Sequence, residues 1–384
     1  MRFSCQYKLA GTKTFRRSSC QILPKKQVIN GKIVSKGWGG NSQNWEKSMR
    51  GIYIPDGFKN ELIEKCKFYL ETGDTSIFTE EELANLRIFL QRDQSGAEAL
   101  IVAYECENGN YRQLFINSIK PHVYVGLKLF KEVWKKRLDN RLIEQGCNID
   151  ELCDIPIPLL KKNPFWKDVD TLIRSSDSWP VETRYYYFAK QTCHSANYDV
   201  QQNSFRMNVL DKSGGKVVLT KEQGTMFLDV YRSLFPEIPD RNNRIAQQAR
   251  DHKILWNMFG HPYNITDYDV SYKLKELYAW SAQSTVGEIT RIATTKLYDW
   301  IQEYDKSTVD NLADTHDSYL IQSRLDEIKE VKDKSAEFMN LPFVSPYDGV
   351  KFNMKSEFKI GFNWYDADEK KLKNPLGLQE VKWL

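Results

Sequence analysis

The sequence predicts an α+β protein, and three observations carry that expectation. A short apolar run, Ile88-Phe89-Leu90, breaks into a polar turn and then a helical stretch. Two strand-like runs flank the polar centre His316-Asp317-Ser318 and read as a tight hairpin. Several helical stretches lie along the chain between them, among them Lys221 to Leu234 and Asp240 to Phe259. At 384 residues, with 41% hydrophobic and 28% charged side chains, the chain can bury one large core or two ordinary ones. No apolar run approaches the length of a spanning helix, and the N-terminus lacks a signal peptide's apolar core. Seven scattered cysteines without a CxxC pair imply reduced thiols in a cytoplasm and no structural zinc.

Residues 1–50 carry eleven Lys or Arg against one acid, a charge of +10, which leaves −6 for the rest of a chain whose net charge is +4. A basic arm on a slightly acidic body is the footprint of phosphate binding, although a merely solvated tail has the same charge. Arg50 to Pro55 reads as a strand and Asn60 to Leu70 as an amphipathic helix. The Ile88–Leu90 strand follows, with a turn on Ser95 and Gly96. Ser95-Gly96-Ala97-Glu98 is a capping box for a helix reaching about Glu107. Asp93 is thereby placed at a strand end, where a carboxylate either holds a divalent ion or is simply solvated.

Lys120-Pro121-His122 opens another helix. Pro180 is placed in the first turn of the next, with Glu182 near its positive end. Lys190, His194 and Tyr198 follow at spacings of four, a cation and two flat rings on one face. That set suits a nucleoside triphosphate, and aromatic packing beside a surface lysine accounts for it equally well. Lys221 to Leu234 and Asp240 to Phe259 read as helices, and Gly260 to Tyr263 as a turn. Thr285-Val286-Gly287-Glu288 reads as a second capping box opening a helix with one apolar face. Gly349 to Trp364 alternates in short strands.

In this order, Asp93 to Glu98, Lys190 to Tyr198 and His316-Asp317-Ser318 resemble motifs A, B and C of the family A, DNA polymerase I-like DNA polymerases, phage members in particular. The resemblance runs from about Thr12 to the C-terminus. It implies a right-hand architecture: an antiparallel palm sheet with a mainly helical fingers domain. Residues 1–115 would form the first half of the palm with the basic arm, 116–265 the fingers with an insertion near 131–179, and 266–384 the second half of the palm. The implied reaction is template-directed addition of deoxynucleotides to a primer 3′ end, with primer–template DNA and dNTPs as partners, in viral DNA replication in a bacterial cytoplasm.

By the same resemblance, Asp93, Asp317 and the Gln94 carbonyl hold two Mg²⁺ ions, and Lys190 compensates phosphate charge. His122 and Arg184 lie near the triphosphate, His194 packs on the nucleotide, Tyr198 stands at the template base and Glu98 narrows the space at the sugar 2′ position. Arg16, Asn41, Gln43, Asn44, Gln283 and His316 would contact the primer–template. The chain departs from the family at several of its positions. Phe15 replaces a glycine, and Tyr186 stands where the family has a helix arginine, with Arg184 off the lysine face. Asp199 replaces a glycine and Ser318 a glutamate. The serine is shared with single-subunit RNA polymerases, which makes such an enzyme one rival; a non-catalytic DNA-binding relative is the other. Because the arginine segment arrives by Arg16, thumb and exonuclease are expected to be absent and supplied by a separate chain, unless the 131–179 segment forms a substitute clamp.

Overall fold

The computed structural model describes residues 6–8, 18–20, 27–29, 32–34, 47–94, 96–267, 269–314, 317–367 and 374–384. Four strands carry the argument: β1 (Arg87–Gln94), β2 (Asp310–Asp314), β3 (Ser318–Arg324) and β4 (Ser356–Gly361). The helices are α1 (Ala97–Glu105), α2 (Pro121–Leu129), α3 (Trp166–Ser175), α4 (Tyr185–Ala196), α5 (Lys221–Leu234), α6 (Glu237–His252), α7 (Leu274–Glu303) and α8 (Ile328–Met339). The chain divides into two compact units. One comprises 1–97, 283–343 and 351–384, the other 98–282 and 344–350.

The first unit is built on an antiparallel sheet of order β4-β1-β3-β2. Strand alternation sorts the residues of β1 between its faces. Ile88, Leu90, Arg92 and Gln94 lie on the face covered by helix. Arg92 donates there to Ser335 Oγ (2.9 Å) and the Lys332 carbonyl (2.6 Å) of α8. Gln94 donates to Thr290 Oγ1 of α7 (2.8 Å). Phe89, Gln91 and Asp93 take the other face. Phe89 joins a core of Leu320, Trp364 and Leu378 against which Tyr53 packs, and the Gln91 amide oxygen accepts from the Trp364 indole (2.9 Å). Asp93, last on that face, is open to solvent.

The second unit is helical, and its core runs through α2, α4 and α5 around Val123, Phe188, Ala189, Phe227 and Tyr231. Proline stands in the first turn of α2, as its missing N–H allows. The 131–179 segment folds into short helices interrupted near Pro156 and Pro164, followed by α3. Two short antiparallel pairs, Gln6–Lys8 with Ser18–Cys20 and Gln27–Ile29 with Lys32–Val34, lie in the N-terminal arm. The mixture of helices and antiparallel sheet agrees with the α+β expectation. Among the described residues no helix is long and apolar enough to cross a membrane, and five cysteines are buried free thiols.

Four local expectations are corrected. Arg50 to Pro55 is not a strand: Lys47–Ile52 is a 3₁₀ helix, and the alternating Ile52 and Ile54 face solvent. Pro180 and Glu182 precede α4, on a separate turn at Val181–Thr183. The Thr285–Glu288 pattern caps nothing, because α7 already runs from Leu274, the residues upstream of the pattern hold no Gly or Pro, the helix continues through Gly287, and Thr285 is fully buried inside it. The helix expected to reach Phe259 ends at His252, where Lys253 turns left-handed (φ 55°). Ile254–Trp256 then pairs with Pro262–Asn264 around Gly260.

Candidate active site

The register of β1 against β3 sets Asp93 opposite Ser318. Asp317 immediately precedes that strand, and its carbonyl accepts from the Gln94 N–H (2.9 Å). Two acidic residues 224 positions apart in sequence thus meet at adjacent strand ends. On the other side, β4 places Glu357 opposite Asp93. Asp93 opens onto a hollow of about 210 Å³ lined also by Arg50, Gln91, Lys359 and Trp364.

This crowding changes the chemistry of Asp93. Surrounding protein strips its hydration even though solvent reaches it, and the negative charges of Asp317 and Glu357 add to the effect. Lys359 and the Gln94 N–H oppose them only in part, so the carboxyl is raised to about 7. Arg50, its guanidinium 4.8 Å over the Trp364 ring, is lowered by burial and held up by Asp366 and Asp317. Lys359 pairs with Asp366 at 2.7 Å. The hollow therefore gathers carboxylates beside two cations. Among the described residues no cluster of three or more His, Cys, Asp or Glu is arranged to hold a metal ion.

In the second unit, Lys190 and His194 are exposed on α4. His122, on α2, meets the Tyr186 ring edge-on at 5.9 Å. Burial first, then Lys190, His194, Lys120 and Arg174, push the His122 imidazole down to about 3. A neutral imidazole thus sits among cations, the electrostatic setting of an anion site. Arg174, in the 131–179 segment, is itself paired with Asp170 (2.7 Å).

Tyr198 lies just past the end of α4 and is buried, with its hydroxyl donating to Glu98 Oε2 (2.9 Å). The edge of His194 meets it at 6.0 Å. Arg184 stands at the start of α4 and donates from Nε to the Trp179 carbonyl (2.9 Å), away from the lysine face. Gln283 is half-buried on α7 in the first unit. Arg16, Asn41, Gln43, Asn44 and His316, together with the Ser95 cap, lie outside the described residues.

The structure thus groups Asp93, Gln94 and Asp317 in one unit, and His122, Lys190, His194, Tyr198 and Glu98 in the other. Sequence reasoning missed Arg50, Glu357 and Lys359 around the hollow, and Lys120 and Arg174 around His122. Alternation along Ser356 to Gly361 was a signal for which face Glu357 takes, but nothing local names its partner strand.

No sequence-family model matches the chain, and no curated protein matches it in sequence. Among solved structures, it is similar to the POL domain of Pol1 from M. smegmatis in complex with DNA primer-template and dNTP. The TM-score is 0.56 at 13% identity, over 94% of this chain and 47% of that one. The likeness is one of fold, and this chain spans about half the length of that structure.

Proposed function

We propose that the chain is a template-directed DNA polymerase of the family A type, adding deoxynucleotides to a primer 3′ end, with phage DNA replication as its setting. The observation that carries this reading is the β1–β3 register, which brings Asp93 and Asp317, both exposed to solvent, to neighbouring strand ends. The polymerase-domain fold likeness supports it. On this reading the first unit is the palm and the second the fingers of a right hand. Primer–template DNA and dNTPs are the partners, the same classes present in the M. smegmatis complex.

The carboxylates of Asp93 and Asp317, with the Gln94 carbonyl, would hold two Mg²⁺ ions. The donor set fits: all ligands are hard oxygens, as Mg²⁺ prefers, and the crowding that raises Asp93 is what a divalent cation relieves. When bound, the ions lower the pKa of the primer hydroxyl and neutralise the triphosphate and leaving pyrophosphate. Lys190 supplies a point charge to the phosphates. His122, kept neutral, can donate a hydrogen bond to them without adding to the local positive charge. His194 packs on the incoming nucleotide. Glu98, held by Tyr198, limits room at the sugar 2′ position, which favours the DNA enzyme over the RNA polymerase that Ser318 resembles.

Primer extension by the purified chain tests this reading. Extension with dNTPs and Mg²⁺, abolished by EDTA and poor with rNTPs, is the expected result. Extension that prefers rNTPs would move the assignment to an RNA polymerase, and no extension with either would remove it.

A further inference from the structure

Three consecutive residues at the end of α4 are each held by polar contacts, of which the catalytic reading uses only the Tyr198–Glu98 bond. Asn197, only 4% exposed, donates from Nδ2 to the Tyr111 hydroxyl (2.9 Å). Its Oδ1 accepts from the Tyr231 hydroxyl. Its backbone carbonyl accepts from Asn242 Nδ2 (3.2 Å). Asn242 is oriented in turn by Arg241 (2.9 Å), which is paired with Glu105. Tyr111, Tyr231 and Arg241 are all at most 1% exposed.

One residue further on, Tyr198 gives its hydroxyl to Glu98. The next residue, Asp199, accepts from Arg232 Nη2 (3.0 Å). The backbone closes here as a Schellman turn. The Val200 N–H donates to the Ser195 carbonyl (3.0 Å) and the Asp199 N–H to the Ala196 carbonyl (3.2 Å), with Asp199 left-handed at φ 51°. Tyr231 and Arg232 are neighbours on α5, so one helix grips the residues on both sides of Tyr198.

An apolar residue at 197 would pack without desolvating an amide. A fully paired polar network instead fixes one rotation of the helix end, since turning it leaves buried groups unpaired. We infer that Asn197, Tyr111 and Tyr231 form a positioning set that holds Tyr198 against Glu98, and thereby sharpens the choice of deoxy- over ribonucleotides. This rests on the polymerase reading above. Asn197 and Tyr231 touch no substrate and act through Tyr198.

The test is a double-mutant cycle of Tyr231→Phe and Tyr198→Phe, measuring single-nucleotide incorporation of dCTP and rCTP opposite a template G. Tyr231→Phe alone is expected to lower the dCTP/rCTP ratio of kcat/KM roughly tenfold, chiefly through a lower KM for rCTP. In the Tyr198→Phe background the same change should lower it no further, because the residue it acts through has already lost its hydroxyl. Additive effects, or an unchanged ratio in Tyr231→Phe, would overturn the inference. Hydrogen exchange gives a readout independent of activity. Amides of residues 195–200 should exchange faster in Tyr231→Phe while the urea midpoint moves little, and unchanged exchange would also overturn it. A wild-type chain that extends no primer would instead overturn the polymerase reading, and with it the selectivity role, while the exchange result still reports on the grip itself.

Discussion

Removing the charge at Asp93 should make the metal-free protein more stable, and the gain should depend on pH. The Asp93 carboxyl is raised to about 7 from an ordinary value of 3.8. Between those values the folded state holds a proton that the unfolded state has lost, so stability falls as pH rises through that window. About 3 pK units at roughly 1.36 kcal/mol each amounts to about 4 kcal/mol. Because solvent reaches Asp93, screening reduces this to on the order of 1–2 kcal/mol. Urea unfolding in EDTA should therefore show Asp93→Asn more stable than wild type by that amount at pH 8, with the difference shrinking towards pH 4. Mg²⁺ at pH 8 should stabilise wild type more than the variant, since the ion relieves the same repulsion. A difference that is flat with pH, or a variant less stable than wild type at pH 8, would refute the account of the strand-end carboxylates.

Glu98→Ala should raise ribonucleotide incorporation at least tenfold relative to wild type if Glu98 limits the 2′ space, as scored by dNTP and rNTP incorporation; unchanged selectivity in a folded variant would leave it without that role. Arg241→Met leaves the nearly buried Glu105 without its ion-pair partner, with only the Ser281 hydroxyl still donating to it, and should cost about 3–5 kcal/mol in denaturant unfolding, whereas Arg241→Met with Glu105→Leu should recover most of that. Asp199→Gly, at φ 51°, relieves backbone strain while losing the Arg232 pair, and should be neutral within about 1 kcal/mol. Asp199→Val, which keeps neither advantage, should be clearly destabilising. Triphosphate binding near Lys190 and Arg174 should raise His122 from about 3, visible as an upward-shifted imidazole titration by NMR; an unmoved titration would place the anion elsewhere.

The local signals that survived folding were those enforced by packing on both sides. Ile88-Phe89-Leu90 reads as a buried strand because no solvent-facing alternation interrupts it, and the 312–323 hairpin because two apolar runs flank polar residues. That the two lie side by side was not legible, since long-range register depends on the whole sheet. Thr285-Val286-Gly287-Glu288 misled because a capping-box pattern states only what a helix start would contain; the residues upstream of it remain helical, and the pattern ends up in the interior of α7. Arg50 to Ile54 alternates as a strand should, yet among the described residues no neighbouring strand offers it a ladder. Asp199 was conspicuous for replacing a glycine, and its left-handed backbone gives the physical reason glycine suits that position. Asn197 went unremarked because a single amide between His194 and Tyr198 carries no periodic signal, and its partners come from Tyr111, Tyr231 and Asn242.

On the proposed reading, Asp93 and Asp317 act together in nucleotidyl transfer while other residues hold the nucleic acid. The most direct measurement compares wild type with Asp317→Asn for both primer extension in Mg²⁺ and primer–template affinity at fixed salt. Extension should fall by at least a thousandfold in the variant, the scale of losing a metal-holding charge in transfer chemistry, with affinity changed by less than about threefold. Normal extension by Asp317→Asn would contradict the account.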